Sequence, residues 1–335
     1  MPRNSTLLKI AGTTSLRLAS KKLFGYGGNL QNIEKSLRRM YVAKPGYKFV
    51  QADQAGAEAL IVAYLVKLPS KFRDLFLYGV KPHVFVALHV MTKVWRDKLP
   101  RIDFDPYILA APNQLSKLPD WQEIDNLIKD SDDWIASERY YYIAKMICHA
   151  SNYGMRGDAF RMNVLEKSHG KIVLTKAQAE IYLEAYHKLF PEIKQWHREV
   201  EFLIKKSNRL YNLQGYPLEF GNILTADDLK EAFARVPQST VGTITNIAFT
   251  NMQRYIEGHE LKQWDLLHNG HDSYLVECPD TDKFDCAMIM KKFIEQDLVS
   301  PRGEEFKMRS GVSIGSNWGP YKLTTNPGGM KEVKT

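Results

Sequence analysis

The chain has 335 residues, of which 44% are hydrophobic and 25% are charged, so it can bury a large core and form one or two globular domains. It contains no apolar run of about 18 residues, which argues against a membrane span, and its first residues lack the continuous apolar stretch of a signal peptide. The net charge of +8 favours a polyanionic partner, although many basic proteins bind no nucleic acid.

The first half of the chain predicts an irregular segment, a strand and several helices. Residues 1–47 are basic and rich in turn residues, and we expect them to form a surface that meets a charged ligand. Residues 48–53 predict a buried strand that ends in a turn, and the nearly continuous apolar residues 57–66 predict a buried helix. The next predicted elements are an excursion from the core over 96–134 and a helix over 135–165 that is broken at Gly154.

The second half predicts more helices and a second strand region. Residues 176–210 predict one long amphipathic helix or a helix pair, with Pro191 marking a helix start at its first turn. Residues 239–258 predict a helix that begins at Ser239 or Thr240 as its N-cap. The remaining predicted elements are a turn at 215–217, a hairpin around Asp272, a helix near 281–297, a strand near 307–314 and a polar tail. Because strands and helices are mixed without a βαβ repeat, the predicted fold class is α+β.

Two aspartates that follow apolar runs form the first candidate site. Asp53 ends the strand predicted over 48–53, and Asp272 lies with His271 at or beside the tip of the predicted hairpin. A single aspartate at the end of a strand is most often a turn or cap residue. Two carboxylates on one sheet, however, can hold two divalent cations, and two cations about 3.5–4 Å apart can clamp the attacking and leaving oxygens of a phosphoryl transfer.

One predicted helix presents a second candidate site. Lys145, His149 and Tyr153 are spaced four residues apart and therefore share one face of the helix. A cation, a hydrogen-bonding ring and an aromatic ring in line suit a triphosphate that carries a base, because lysine offers charge and tyrosine a flat surface. A solvated polar stripe is the alternative, but the opposite face of this helix is apolar.

Seven short segments occur in a characteristic order along the chain. They are Ser15–Ser20, Asn29–Ile33, Asp53–Glu58, Lys145–Gly154, Pro237–Thr240, His271–Asp272 and Gly315–Trp318. In order and spacing they resemble the polymerase core of family A DNA polymerases, the group that includes bacterial DNA polymerase I and phage replicative polymerases. The similarity runs from about residue 13 to about residue 320, and the set is far more specific than any one segment.

The resemblance implies the architecture of the chain. It implies a right-hand polymerase palm, made of an antiparallel sheet with helices, together with helical fingers. The palm would comprise residues 1–95, with the first catalytic motif, and residues 216–335, with the last one, while residues 96–215 would form the fingers. The resemblance begins near residue 13, so we expect that the thumb and exonuclease domains are absent and that the chain is a truncated polymerase or one part of a split polymerase.

The resemblance also implies a reaction, which is template-directed transfer of a nucleotide from a dNTP to the 3′-hydroxyl of a DNA primer. Asp53 and Asp272 would be the catalytic residues and would bind two Mg²⁺ ions, which Mn²⁺ could replace. Lys145 would neutralise the phosphates, Tyr153 would pack at the sugar and base, and Glu58 would exclude a 2′-hydroxyl. The full set implied to bind the dNTP is Lys145, His149, Tyr153, Glu58 and Arg139, and the set implied to bind DNA is Arg17, Asn32, Gln238 and His271.

The chain departs from the family pattern at four places. His149 stands on the fingers helix where the family commonly has an aromatic carbocycle. Ser273 follows the His-Asp pair where the family usually has a glutamate. Tyr141 stands four residues before Lys145, where the family usually has an arginine that reaches the γ-phosphate, and Arg139 lies two residues away from that position. The turn at 215–217 reads Gly-Tyr-Pro where the family often has Gly-Arg-Arg. These departures concern the triphosphate more than the metal ligands.

The expected partners are a DNA primer-template, a dNTP and a second polypeptide that carries a thumb or exonuclease, with no membrane. The three cysteines lack CxxC spacing, which favours a reduced compartment, and we expect the cytoplasm of a bacterium or of a phage-infected host cell. Two other functions stay open. One is a single-subunit RNA polymerase, which Glu58 disfavours, and the other is a catalytically inactive nucleic-acid-binding palm that serves as a scaffold.

Overall fold

The computed structural model describes residues 7–9, 19–21, 31, 33–35, 37–131, 139–221 and 223–334. The chain divides into two units. The first unit contains Met1–Glu58, Tyr211–Leu218 and Arg235–Thr335, and the second contains Ala59–Leu210 and Glu219–Ala234. Helices and antiparallel strands occur together, which confirms the predicted α+β class. Within the described ranges, no helix is both long and apolar enough to cross a membrane.

The secondary structure of the described residues begins and ends as follows. In chain order the elements are β1 (Leu7–Lys9), β2 (Ala19–Lys21), β3 (Tyr47–Gln54), α1 (Ala57–Leu65), α2 (Lys71–Leu77), α3 (Pro82–Val90), α4 (Thr92–Lys98), α5 (Asp105–Leu109), α6 (Pro112–Leu115), α7 (Trp121–Lys129), α8 (Tyr140–Asn152), α9 (Gly157–Lys167), α10 (Lys176–Leu189), α11 (Pro191–Ser207), β4 (Arg209–Tyr211), β5 (Pro217–Glu219), α12 (Ala226–Gly258), β6 (Asp265–Asn269), β7 (Ser273–Pro279), α13 (Lys283–Ile294), β8 (Asp297–Val299), β9 (Glu305–Lys307), β10 (Ser310–Gly315) and β11 (Lys331–Val333). A short 3-10 helix, Arg38–Met40, precedes β3.

The centre of the first unit is a five-stranded antiparallel sheet in the order β11-β10-β3-β7-β6. Alternate residues of a strand point to opposite faces, so the buried side chains of Val50, Ala52 and Gln54 share one face. Helix α13 packs against β3 and β10. The Gln54 amide donates to the Val241 carbonyl at 3.1 Å and to the Thr245 hydroxyl at 2.7 Å, both on α12, which attaches the end of β3 to the helices.

The opposite face of the sheet has its own small core. Phe49 and Leu275 on neighbouring strands pack with Ala43 and Trp318, and all four are buried. The Trp318 indole N–H donates to Oε1 of Gln51 at 2.9 Å, which connects the segment after β10 to β3. On this face, the residues before β3 and the residues after β10 therefore pack against β3.

The second unit is helical and has an aromatic core. Phe190, which lies between α10 and α11, has its ring centroid 5.1 Å from that of Phe72 and 5.0 Å from that of Tyr186. The Tyr186 hydroxyl donates to Oδ1 of Asn152 at 2.6 Å, which connects α10 to the end of α8. Pro191 occupies the first turn of α11, so of the two predicted alternatives the chain forms the helix pair, with the helix start at Pro191 as predicted.

Two sequence predictions were wrong. The helix expected to begin at Ser239 or Thr240 begins earlier, since α12 runs from Ala226 through Pro237 without a break. The Thr240 hydroxyl donates back to the Val236 carbonyl at 2.8 Å, so it is satisfied inside the helix and does not cap it. The expected polar tail also forms structure, because β11 pairs with β10.

The contact between β10 and the chain before β11 predicts that Gly315 tolerates no side chain. A Cβ on Gly315 would lie 2.7 Å from the carbonyl carbon of Gly329, so Gly315→Ala should lower the free energy of unfolding by about 1–3 kcal/mol. Gly258→Ala, at the end of α12, is the matched control, because its Cβ would have no heavy atom within 4 Å. Chemical denaturation of both variants measures this, and equal stability of the two would contradict the predicted contact.

Candidate active site

The pairing of β3 with β7 brings the two candidate aspartates to one edge of the sheet. Asp53 on β3 lies opposite Ser273, the first residue of β7. The backbone N–H of Gln54 donates to the carbonyl of Asp272 at 2.9 Å. Both aspartate side chains are exposed. The strand end and the hairpin predicted from the sequence therefore meet, and two carboxylates face solvent at the same place.

The turn between β6 and β7 fixes where Asp272 lies. The Gly270 N–H donates to the Ser273 carbonyl at 2.7 Å, and the Asp272 N–H donates to the Gly270 carbonyl at 3.0 Å. A Cβ on Gly270 would lie 2.7 Å from the Ser273 hydroxyl, so a side chain there would require this hydroxyl to move. His271 is half-buried and has a positive φ of 73°, a conformation that non-glycine residues seldom adopt.

A chain of side-chain amides supports this turn. The Asn269 carboxamide oxygen accepts from the His271 N–H at 3.2 Å, and its nitrogen donates to Oδ1 of Asn246 on α12 at 3.1 Å. The Gln31 amide donates to the Asn269 carbonyl at 3.0 Å. The turn that carries Asp272 is thus attached to α12 and to the N-terminal segment, and its position does not depend on the hairpin alone.

The electrostatics of Asp53 reflect two carboxylates in one place. Burial among protein atoms and the negative charge of Asp272 together raise the pKa of Asp53 from 3.8 to about 7, while Lys35 and Arg38 oppose the rise. Solvent still reaches the side chain, so the desolvation is partial. Without a cation, the site disfavours two full negative charges.

Two hard oxygen ligands with this mutual repulsion fit a divalent cation. Magnesium is commonly held by one or two carboxylates, with water and substrate phosphates completing its coordination. Among the described residues, no group of three or more His, Cys, Asp and Glu side chains could hold a metal by itself. The donor set therefore suits a metal that is shared with a phosphate substrate better than a closed structural site.

Arg38 and Trp318 join this site, although the sequence motifs gave neither a role there. The Arg38 guanidinium carbon lies 4.6 Å from the centroid of a Trp318 ring, a cation–π contact. The adjacent arginines at 38 and 39 stood out only as part of a basic segment. Nothing in their local pattern predicts that Arg38 interacts electrostatically with the two carboxylates, because its position depends on a contact with Trp318, far along the chain.

Helix α8 of the second unit carries the other candidate residues. Lys145 and His149 are exposed, while Tyr153, directly after the helix, is only 9% exposed. The Lys145 ammonium lies 4.1 Å from the centroid of the Tyr141 ring, and the rings of His149 and Tyr153 meet edge to face at 4.8 Å. Tyr141, which stands where the family usually has an arginine, therefore supports the lysine by a cation–π contact.

His83 on α3 lies beside the same helix. Its ring centroid is 6.0 Å from that of Tyr141. Burial lowers the pKa of His83 to about 4, and the positive charges of Lys145, Lys81 and His149 lower it as well. His83 is therefore neutral at physiological pH and adds no positive charge to this face.

The break after α8 is tightly packed. Gly154 has a φ of +66°, and a Cβ there would lie 2.9 Å from the Phe233 ring. The Phe233 ring stacks on His197 with centroids 4.1 Å apart, and Nε2 of His197 is 2.7 Å from the Asn152 carbonyl. The predicted glycine break is confirmed, and its environment explains why a glycine stands there.

Arg139 is held inside the second unit. It precedes the first residue of α8, is 4% exposed, and donates from Nη1 to the Lys171 carbonyl at 3.2 Å. A contact between Arg139 and a triphosphate remains a prediction, and it would require the guanidinium to leave this carbonyl.

The other predicted residues lie as follows. Glu58 is half-buried in the first turn of α1, and Gln238 is half-buried on α12, one residue after Pro237. Arg17 and Asn32 lie outside the described residues. The assignment of these four residues to dNTP or DNA remains a prediction.

Comparison with known proteins identifies the fold. No protein-family model matches the chain, and no curated protein sequence matches it. Among solved structures, the POL domain of Pol1 from M. smegmatis, in complex with DNA primer-template and dNTP, is similar with a TM-score of 0.64 and 17% sequence identity. The match covers 93% of this chain and 47% of that one, so this chain spans about half the length of its structural neighbour. The resemblance to family A polymerases is confirmed at the level of the fold.

The raised pKa of Asp53 predicts that Asp53→Asn stabilises the metal-free protein at high pH. Folding raises this pKa from 3.8 to about 7, so the stability that Asp53 contributes is complete below pH 3.8 and is lost as the pH rises through 7. Asp53→Asn should therefore raise Tm at pH 8 in EDTA, and the gain should shrink as the pH falls toward 4.

Asp280→Asn is the control for this measurement. Its hydrogen bond with Lys283 lowers the pKa of Asp280, so the same substitution there should not raise Tm at pH 8. Thermal unfolding with and without Mg²⁺ completes the test, because a bound cation should remove the advantage of Asp53→Asn. A lower Tm of Asp53→Asn in EDTA at pH 8 would argue against repulsion between the two carboxylates.

Proposed function

We propose that this chain is the catalytic core of a template-directed DNA polymerase, which transfers a nucleotide from a dNTP to the 3′-hydroxyl of a DNA primer. The observation that carries the proposal is the meeting of Asp53 and Asp272 at the ends of β3 and β7, on a fold shared with a polymerase domain. The neighbouring structure contains a DNA primer-template and dNTP, which supports the same partners for this chain.

The proposed cofactor is Mg²⁺, as two ions, with Mn²⁺ able to replace it. Asp53 and Asp272 would hold the ions through their carboxylate oxygens. When bound, such ions lower the pKa of the attacking hydroxyl and stabilise the charge on the phosphates and the leaving pyrophosphate. The protein's own contribution is to keep both carboxylates at one sheet edge by backbone hydrogen bonds, so that little reorganisation is needed when substrate arrives.

The residues proposed to contact the dNTP are those that the resemblance implies, and each is described within its own unit. Lys145, exposed and supported by the Tyr141 ring, would neutralise phosphate charge. His149 is exposed beside Tyr153 and would add a hydrogen bond, while Tyr153 would pack at the sugar and base. Glu58, in the first turn of α1, would exclude a ribose 2′-hydroxyl. Arg139 is the least suited of the set, because it is buried and bonded to a carbonyl.

The proposed DNA contacts come mainly from the first unit. Gln238 and Arg17 would read acceptors that all base pairs share in the minor groove, and Asn32 would add a further contact. His271, in the turn beside Asp272, would lie near the primer terminus. We also propose a second polypeptide that carries a thumb or exonuclease as a partner of this chain.

Two alternatives remain distinguishable by experiment. A single-subunit RNA polymerase would share the two aspartates but would use ribonucleotides. A catalytically inactive scaffold would bind duplex DNA and extend nothing, and Tyr141 at the usual arginine position is the feature that favours it. Extension of a DNA primer by this chain, with dNTP and NTP compared, separates all three.

The paired carboxylates predict that Asp53→Asn and Asp272→Asn each abolish divalent-dependent primer extension. The rate should fall at least about a hundredfold, because several kcal/mol of transition-state stabilisation depend on the metal. Asp280→Asn, which changes an exposed aspartate paired with Lys283, should leave the rate unchanged. Steady-state extension assays with circular dichroism measure this, and near-normal activity of either site variant would exclude these residues as metal ligands.

The position of Glu58 predicts that Glu58→Ala admits ribonucleotides. The preference for dNTP over NTP, as a ratio of kcat/KM values, should fall by roughly 10- to 100-fold if the side chain occupies the space of a 2′-hydroxyl. Glu58→Gln keeps the size of the side chain and should keep most of the preference. If Glu58→Ala and the wild type discriminate equally, the selection against ribose lies in another residue.

A further inference from the structure

A positive charge lies beside the two carboxylates and has no assigned role in the transfer reaction. Arg38 begins the 3-10 helix before β3 and is half-buried. Arg38 interacts electrostatically with both Asp272 and Asp53, and Lys35 also interacts with Asp53. The place of Arg38 beside the carboxylates follows from its contacts with the rest of the first unit.

The contacts of Arg38 fix it in place. Its Nε donates to the Ile33 carbonyl at 3.2 Å, and its guanidinium carbon lies 4.6 Å from the centroid of a Trp318 ring. Trp318 is itself anchored, because its indole N–H donates to Oε1 of Gln51 at 2.9 Å. Gln51 and Asp53 lie two residues apart on β3 and point to the same face of the sheet. The contact with Trp318 therefore places Arg38 over the face of the sheet on which Asp53 lies.

The surroundings leave this arginine as a fixed cation. An arginine side chain stays protonated in proteins, so its charge is present whether or not a metal is bound. His268 on β6, whose ring lies 5.1 Å from that of Trp318, is buried, and burial together with the charges of Arg38 and His271 lowers its pKa to about 4. His268 is therefore neutral at physiological pH and does not compete with Arg38 for the carboxylates.

We propose that Arg38 is a positioning residue of the carboxylate site, a role that rests on the function proposed above. Its fixed charge, placed against the Trp318 ring, weakens the hold of Asp53 and Asp272 on a free divalent cation and strengthens the attraction for an anionic triphosphate. The site is thereby biased against filling with metal alone and toward receiving metal and nucleotide together.

The physical basis is the sign of each interaction. Arg38 repels a divalent cation and attracts a polyphosphate, and both interactions act over several ångströms in a partly solvated site. Removal of the charge should therefore tighten metal binding and weaken nucleotide binding. A merely structural role gives a different result, because a distorted site binds both ligands less well.

Arg38→Gln tests the proposal, with Arg39→Gln as the matched control. Arg39 is exposed on the same 3-10 helix, so its removal changes the net charge equally. The first measurement is Mn²⁺ binding to the full chain without nucleotide, from the electron paramagnetic resonance of free Mn²⁺. The second is the KM for dNTP in primer extension at saturating Mg²⁺.

We expect Arg38→Gln to bind Mn²⁺ roughly three- to tenfold more tightly and to show a KM for dNTP raised by a similar factor. Arg38→Lys, which keeps the charge, should stay within about twofold of wild type on Mn²⁺, as should Arg39→Gln. If Arg38→Gln lacks the native circular dichroism spectrum, Arg38→Met replaces it, because its apolar chain can still cover the Trp318 ring.

Unchanged or weaker Mn²⁺ binding by the folded neutral variant would overturn the role of Arg38. The Asp272→Asn variant distinguishes failure of the inference on Arg38 from failure of the proposed function. If Asp272→Asn abolishes Mn²⁺ binding while the neutral Arg38 variant binds like wild type, the metal site stands and only the inference on Arg38 falls. If wild type and Asp272→Asn bind Mn²⁺ equally, or neither binds it, the metal site falls and the role of Arg38 with it.

Discussion

The register between β3 and β7 determines which side chains reach the candidate active site. Asp53 lies opposite Ser273, and the Gln54 N–H reaches the Asp272 carbonyl, so the two carboxylates meet only in this alignment. A slip by one residue would turn Asp53 toward the face where Val50 and Ala52 are buried. The apolar alternation of β3, which buries that face, therefore also places the carboxylate.

The same arrangement carries an electrostatic cost. Two carboxylates held together repel each other, and the raised pKa of Asp53 reflects that repulsion together with partial burial. Lys35 and Arg38 offset part of the cost in the metal-free protein, and a divalent cation would offset more. Loss of one carboxylate charge would stabilise the metal-free protein, whereas the proposed metal site needs both charges. Such a conflict is common where a protein places like charges together to bind an ion.

The sequence predicted the local elements of the site well. An apolar run ending in Asp53 and an Asn-Gly turn before Asp272 predict a strand and a hairpin from local chemistry, and both are present. Local sequence patterns could not predict that these two elements meet, because β3 and β7 are far apart in the chain. The resemblance to polymerases placed the two aspartates in one site, and the fold shows that the two strands pair.

Other features depended on contacts that no local pattern reports. The role proposed for Arg38 depends on its contact with Trp318, and the Thr240 hydroxyl bonds to a carbonyl inside α12 instead of capping a helix start. The strand β11 is too short and polar to predict, and it forms because β10 offers a free edge for pairing. Conversely, Tyr153 and Arg139, chosen for their chemistry, are both largely buried.

Anomalous diffraction at the manganese edge tests the metal site most directly. Crystals of this chain with primer-template, a non-hydrolysable dNTP and Mn²⁺ should show manganese bound by the carboxylates of Asp53 and Asp272. Crystals that contain the duplex and the nucleotide but show no manganese at these two residues, with manganese bound elsewhere, would contradict the assignment of this sheet edge as the catalytic centre.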